Sequence, residues 1–168
     1  ALPVGVILTI SAAGSEMSTS CVMQDDKTHK KSGFNSDLVR PIFAIENPEF
    51  TYSVNKKQTA YGICDILMHT LERYFSESKE NELSDDIALG LIKSVIRNGE
   101  VAYNDPNNYE ARANLMLASS LSHCGLTSIC KAYKMPVHAL EHAVSGLYPH
   151  VAHGAGLAVL FPRWARYY

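Results

Sequence analysis

The side chains best suited to chemistry are histidines and an aspartate that recur at helical spacing. Asp65 precedes His69 by four residues, and His138 precedes His142 by the same interval. Residues four apart lie on one face of a helix, so each pair can direct two donor atoms at a common point. Imidazole and carboxylate together suit Fe(II) or Zn(II), whereas Ca(II) prefers oxygen ligands. Together with the His-Gly pair that begins at His153, these residues indicate one four-ligand metal site.

The same residues also allow a purely structural interpretation. A polar stripe on the solvent face of a helix has the same spacing. The series that fits it on the first helix is Asp65, His69, Glu72, Arg73 and Ser76, and the series on the later helix is His138, Glu141, His142 and Ser145. Spacing alone leaves both interpretations open.

The remaining histidines have no partner at helical spacing. We expect His29 and His123 to be structural or surface residues, and His150 to be an exposed loop residue.

The elements that must position these groups change character near residue 50. Val4–Ile10 and Arg40–Glu46 contain short β-branched runs typical of buried strands, and Met17–Met23 alternates weakly. Lys27–Gly33 has the composition of a polar turn. The sequence therefore predicts a mainly α protein with a small β portion, in which a β segment up to about residue 50 precedes an all-helical block.

Five helices are predicted after residue 50. The first covers Thr59–Ser76, and the second is capped by Ser84 and ends at Asn98-Gly99. The other three are Tyr109–Cys130 with a break at Gly125, Met135–Tyr148 starting near Pro136, and Gly154–Tyr168.

Composition limits the function classes. The 168 residues carry a formal net charge of −2, which is unlike the basic excess of a nucleic-acid-binding protein, and 46% of them are hydrophobic, which favours a packed core over disorder. No apolar run reaches the roughly 18 residues of a membrane span. The four cysteines form no C-x-x-C pair, so reduced thiols and a cytoplasmic location are expected.

Five motifs, in order along the chain, resemble those of the iron-containing (group III) alcohol dehydrogenase family and its butanol dehydrogenase branch. Gly62–His69 resembles the G-x-D-A-x-x-H helix, and His138–His142 resembles the H-x-x-x-H segment. His153–Ala158 resembles the H-G-x-x-x-A segment. The upstream matches are Leu8–Glu16, similar to the T-T-x-x-T-G-S-E loop with Ala13 in place of its last threonine, and Glu46–Thr51, similar to the D-P-x-L-T turn.

The resemblance implies a role for individual positions. Asp65, His69, His138 and His153 match the metal ligands, which hold Fe(II) or Zn(II), and His142 matches a histidine that carries a proton near the nicotinamide. Contacts to NAD or NADP are implied for Thr9, Ser18, Val22, Lys31 and Phe50. The implied fold is the helical metal-binding domain of the dehydroquinate synthase-like fold over residues 51–168, truncated at its C-terminus, preceded over residues 1–50 by a remnant of its Rossmann-like α/β dinucleotide-binding domain. The stretch from His142 to His153 is one residue longer than in some members of the family, so His150 competes with His153 as the last ligand, and the His-Gly match favours His153. The implied reaction is hydride transfer between NAD(P) and a small primary alcohol or aldehyde, in an enzyme expected to be a homodimer.

The family's G-G-G-S pyrophosphate loop has no counterpart among these 168 residues. We therefore expect the chain to be an internal fragment that supplies the metal half of the site and is inactive alone. Two alternatives are a zinc-dependent lyase of the dehydroquinate synthase type and a non-catalytic helical fragment whose histidines are surface-exposed.

Overall fold

The computed structural model describes residues 2–77 and 81–167. Within these ranges the chain forms four strands and five α-helices. The strands are β1 (Gly5–Ile7), β2 (Ser20–Asp25), β3 (Lys30–Asn35) and β4 (Phe43–Ile45). The helices are α1 (Lys56–Tyr74), α2 (Glu82–Asn104), α3 (Tyr109–His123), α4 (Pro136–Leu147) and α5 (His153–Trp164). The mainly helical fold with a small β portion is confirmed, and the predicted helix end at Tyr168 lies outside the described residues.

The strands form two separate pairs. β1 and β4 are parallel, with Val6 opposite Ala44, and β2 and β3 form an antiparallel hairpin. The prediction that Lys27–Gly33 is a turn is wrong for its second half, because residues 30–33 belong to β3. The turn itself is tied together by Asp25, whose carboxylate accepts hydrogen bonds from the Lys27 backbone N–H and the Thr28 hydroxyl.

Helix α1 is the centre of the helical block and packs on two apolar clusters. Ile66 of α1 lies in a cluster built from α1, α2 and α3 that also contains Leu91, Val95, Ala102, Ala111, Leu115 and Ala118. Met68 of α1 lies in a second cluster with Val137 of α4 and Leu157 of α5. The face of α1 that lies between the Ile66 side and the Met68 side is therefore enclosed by neighbouring helices on both sides.

The bounds of α2 differ from the prediction at both ends. Asn81 caps the helix by accepting a hydrogen bond from the Ser84 N–H, so Ser84 is a residue of the first turn and not the cap. The helix continues through Asn98 and Gly99 to Asn104. A Cβ at Gly99 would lie 3.1 Å from Ile63 Cγ2, so this glycine permits close packing of α2 on α1 where a helix end was predicted.

The other helix predictions agree more closely with the structure. α1 begins three residues earlier than predicted, after Asn55, which caps it. The break at Gly125 is confirmed, because this residue has a φ of 102° and is followed by a short 3-10 turn. Among the described residues, no helix combines the length and apolar character needed to cross a membrane.

The loop after β1 is attached to α3 by two serines: Ser120 Oγ donates to the Glu16 carboxylate, and Ser119 binds the loop backbone. Ser119 Oγ is fully buried and accepts hydrogen bonds of 3.1 Å from the backbone N–H groups of Ala12 and Gly14. Because buried N–H groups rarely lack an acceptor, this side chain determines where the loop crosses the helical block.

We expect Ser119→Ala to leave these two backbone N–H groups without their acceptor and to lower the free energy of unfolding by about 1–3 kcal/mol. Urea denaturation followed by circular dichroism measures this loss. Ser53→Ala, at an exposed position, is the matched control and should change stability by less than about 0.5 kcal/mol. Equal stabilities of the two variants would contradict the role given to Ser119.

Candidate metal centre

Three helices bring four donor side chains to one point. Asp65 and His69 come from one face of α1, His138 comes from the first turn of α4, and His153 is the first residue of α5. The Asp65 Oδ1 atom lies 3.6 Å from His69 Nδ1, 3.4 Å from His138 Nε2 and 3.6 Å from His153 Nε2. The aspartate and the first two histidines are buried. The structure thus assembles all four residues that the resemblance implies as ligands.

The three separations from Asp65 Oδ1 are close to those between neighbouring ligand atoms of a small divalent cation, and the donor atoms of Asp65, His69 and His138 all lie within 4.8 Å of one another. For bonds of about 2.0–2.1 Å, tetrahedral geometry sets neighbouring ligand atoms about 3.3–3.4 Å apart. His69 Nδ1 is buried and has no hydrogen-bond partner. Buried polar atoms usually have one, so this nitrogen is available to bind a metal ion. A donor set of three imidazoles and one carboxylate suits Fe(II) or Zn(II).

Two buried glutamates accept hydrogen bonds from the outer nitrogens, Nδ1, of His138 and His153. Glu72 accepts a hydrogen bond from His138 Nδ1, and its other oxygen accepts from the Val137 backbone N–H at 2.6 Å. Glu141 accepts in the same way from His153 Nδ1. A carboxylate on Nδ1 keeps the proton on that nitrogen and leaves Nε2 free as a ligand atom, which is the usual arrangement at metal-binding histidines.

The His-Gly pair has a steric basis. A Cβ at Gly154 would lie only 2.4 Å from the Tyr61 carbonyl oxygen of α1. Glycine therefore allows the first turn of α5 to approach α1 closely enough for His153 to face Asp65. His150, the competing residue, is exposed and lies before the start of α5.

The solvent-facing stripe is the wrong interpretation for the first helix. Asp65, His69, Glu72 and Arg73 are all at most 4% exposed. The hypothesis of surface-exposed histidines likewise fails for His69 and also for His138, which is 6% exposed.

Two residues beside the centre were not predicted to belong to it. Arg73 donates to the His69 carbonyl at 2.6 Å and to the Ser122 carbonyl at 3.1 Å. His123, expected to be a structural or surface residue, lies edge-on to the His69 ring with centroids 4.1 Å apart. Its Nε2 lies 3.2 Å from Ser20 Oγ on β2. The spacing of Arg73, four residues after His69, was the available signal, whereas nothing local identifies His123.

The four donors line a cavity of about 580 Å³ between the helical block and the β2–β3 hairpin. Of the residues expected near the cofactor, Ser18, Val22, Lys31 and His142 also line it. Thr9 and Phe50 do not. Thr9 follows the end of β1 by two residues, and Phe50 lies in the short 3-10 turn Pro48–Thr51 that follows β4.

The enclosed position of the histidines shifts their pKa values in opposite directions. Burial alone would lower the pKa of His138, but hydrogen bonds to Asp65 and Glu72 raise it to about 9. For His142, burial and the neighbouring His153 lower the pKa to about 4. The ring of His142 is therefore neutral at pH 7, with one nitrogen that can accept a proton and one that can donate.

The chain is similar to known proteins over nearly its whole length. Residues 59–168 match the model of the C-terminal part of the Fe-containing alcohol dehydrogenase family. The chain is 43% identical over 166 residues to NADH-dependent butanol dehydrogenase A of Clostridium acetobutylicum, covering 99% of this chain and 42% of the relative. It is 32% identical to the NADPH-dependent aldehyde reductase YqhD of Escherichia coli, covering 96% of this chain and 42% of that protein.

Solved structures show the same similarity. The crystal structure of NADH-dependent butanol dehydrogenase A from Thermotoga maritima superposes with a TM-score of 0.95 at 38% identity, over 99% of this chain and 42% of that one. The chain thus spans about two fifths of the length of the relatives it matches.

The buried histidines predict an acid-sensitive fold in the metal-free protein. Burial, with His123 and His138 nearby, lowers the pKa of His69, and burial with Arg73 lowers that of His123 to about 4. The unfolded chain binds these protons near pH 6.5 and the folded chain does not, so the free energy of unfolding should fall as the pH drops from 6.5 toward 4. The slope is about 1.4 kcal/mol per pH unit for each histidine.

Urea denaturation between pH 7 and 4.5 measures this dependence. His123→Gln removes one of the protons taken up on unfolding, so it should make the slope shallower by about 1.4 kcal/mol per pH unit. His29→Gln, in an exposed turn, is the matched control and should leave the slope unchanged. An unaltered slope in His123→Gln would contradict the burial argument.

Proposed function

This chain belongs to the Fe-containing alcohol dehydrogenase family, and we propose that it supplies the metal-binding half of an NAD(P)-dependent alcohol dehydrogenase or aldehyde reductase. One observation carries the proposal: three imidazole nitrogens lie within 3.4–3.6 Å of a single carboxylate oxygen of Asp65. That arrangement comes from three different helices, so it is not a by-product of local helix spacing.

In this proposal Asp65, His69, His138 and His153 hold Fe(II) or Zn(II). The bound cation would supply Lewis acidity for the alcohol or aldehyde oxygen, and a bound nicotinamide would supply or take up the hydride. Ile66, fully buried beside Asp65 in sequence, and Met68, 5% exposed, limit the access of water from the helix side. A drier site strengthens the electrostatic attraction between the cation and its ligands.

His142 is proposed to move the proton that the reaction releases or consumes. It lines the cavity, and its ring centroid lies 5.4 Å from that of His153. Because its pKa is lowered to about 4, the neutral ring is available at pH 7 to take a proton during alcohol oxidation. In aldehyde reduction the same ring passes a proton from solvent in the opposite direction.

The cofactor is proposed to lie along the β2–β3 hairpin. Ser18, Val22 and Lys31 line the same cavity as the metal centre, and this shared cavity supports a position beside the nicotinamide for these three residues. Thr9 and Phe50 are proposed to contact a more distant part of the dinucleotide at the edge of the β1–β4 pair. The relatives named above use NADH or NADPH, and both remain candidates here.

A small primary alcohol or aldehyde, such as a butanol-like substrate, is the proposed substrate class. The lyase alternative requires several cationic side chains for carboxylate and phosphate groups. Among the described residues that line the cavity, Lys31 is the one lysine or arginine. A homodimeric enzyme and a cytoplasmic location stay predictions.

We expect His69→Ala or His138→Ala to abolish metal retention, because each removes one of four ligands from a buried site. Elemental analysis after purification with one equivalent of Fe(II) or Zn(II) measures the occupancy. His150→Ala, at an exposed position three residues before His153, should retain the metal. Full occupancy in either of the first two variants would refute the ligand assignment.

We expect an intact protein that contains this chain to reduce butanal with NADH or NADPH. A chelator should abolish the activity, and added Fe(II) or Zn(II) should restore it, because the aldehyde oxygen needs the Lewis acid. Cofactor oxidation followed at its absorbance maximum measures the rate. Full activity after complete metal removal, or aldehyde reduction by the 168 residues alone, would contradict the proposed half-site.

A further inference from the structure

Glu141 is a fully buried carboxylate at the junction of three elements. It lies on α4, accepts a hydrogen bond from His153 Nδ1 of α5, and its Oε2 is 3.7 Å from Lys31 Nζ of β3. Its other oxygen, Oε1, is buried and has no hydrogen-bond partner. A buried carboxylate is costly unless charged or polar groups surround it, so its contacts with His153 and Lys31 are what keep it in place.

The surrounding chain is shaped to admit this carboxylate. A Cβ at Gly156 of α5 would lie 2.7 Å from Glu141 Cγ, so only glycine leaves room for the side chain there. The two glutamates behind the metal centre differ in this respect. Glu72 also accepts a hydrogen bond from the Val137 backbone N–H at the start of α4, whereas among the described residues Glu141 accepts none from a backbone N–H at a helix start.

Lys31 connects Glu141 to the hairpin. The Lys31 ammonium donates to Ser145 Oγ at 2.9 Å, one turn beyond Glu141 on α4. The β2–β3 hairpin packs closely against α4. A Cβ at Gly146 would lie only 2.5 Å from the carbonyl oxygen of His29, the residue before β3. A continuous series of contacts therefore runs from the hairpin through Lys31, Glu141 and His153 to Asp65.

We propose that Glu141 is a positioning residue that fixes the ring of His153 for metal binding, and that Lys31 influences the metal centre only through Glu141. This inference rests on the proposed function, since it takes His153 to be a metal ligand. The ion pair holds the carboxylate, the carboxylate holds the Nδ1 proton, and Nε2 remains directed at Asp65. The second histidine–glutamate pair of the centre is His138 with Glu72, and among the described residues Lys31 forms no hydrogen bond or ion pair with it.

The test is metal affinity of the folded protein, which does not depend on catalysis. Metal-stripped wild type, Glu141→Ala, Glu141→Gln, Lys31→Met and the Glu141→Ala/Lys31→Met double variant are titrated with Zn(II). We expect Glu141→Ala to weaken binding about 10- to 100-fold, as for other carboxylates behind metal-binding histidines. Glu141→Gln, which keeps an acceptor for Nδ1–H but not the charge, should fall between wild type and Glu141→Ala.

The double variant separates the two parts of the proposal. Lys31→Met should weaken Zn(II) binding in the wild-type background and have no further effect in Glu141→Ala. Equal losses in both backgrounds would overturn the role of Lys31. The visible spectrum of bound Co(II), which reports ligand geometry, should change in Glu141→Ala and not in Glu100→Gln, a control at an exposed position.

Other outcomes have distinct meanings. Failure of the wild type to bind either Zn(II) or Fe(II) would refute the proposed function itself, whereas wild-type affinity in Glu141→Ala would refute only the positioning role. Glu141, His142 and His153 also offer donor atoms within 4.8 Å of one another. Two ions per wild-type chain and one in Glu141→Ala would make Glu141 a ligand and overturn the proposal. If Glu141→Ala fails to fold by circular dichroism, the isosteric Glu141→Gln carries the test.

Discussion

The structure depends on holding one buried carboxylate, that of Asp65, in front of three imidazole nitrogens. A charge removed from water costs several kcal/mol unless partners replace the solvent. Here the partners come from α1, α4 and α5, so these three helices must pack in one arrangement for the carboxylate to be tolerated. The apolar clusters on either side of α1 provide that arrangement, and the cation that the donor set suits would complete it.

A second group of charges surrounds the first and explains why so many polar residues are buried. Glu72 and Glu141 hold the outer nitrogens of two histidines, and Arg73 holds the carbonyl oxygen of His69. Each of these side chains also contacts a second element: Glu72 contacts α4, Glu141 contacts α5, and Arg73 contacts the Ser122 carbonyl at the end of α3. Apolar packing therefore stabilises the helical block, and polar contacts orient its side chains. The β2–β3 hairpin joins these polar contacts through the ion pair of Lys31 with Glu141.

Much of the fold could be predicted from local sequence rules. Where the structure departs from these predictions, tertiary contacts override the local preference of the residues. The helix caps, the break at Gly125 and the apolar faces could be predicted from residue types. The end of α2 could not, because a Gly that terminates an isolated helix can equally serve close packing, as Gly99 does against Ile63. The hairpin strand β3 was missed because its lysines and serine have the composition of a turn.

The sequence by itself determined which donor atoms were available and that Asp65 and His69 share a helix face, because that spacing is a property of the helix alone. Only the tertiary structure decided that this face is buried, that His153 and not His150 faces Asp65, and that His123 lies against His69. These facts depend on how closely helices distant in sequence approach one another, and that distance is determined by side-chain volumes at the contacts, such as the missing Cβ of Gly154 against Tyr61.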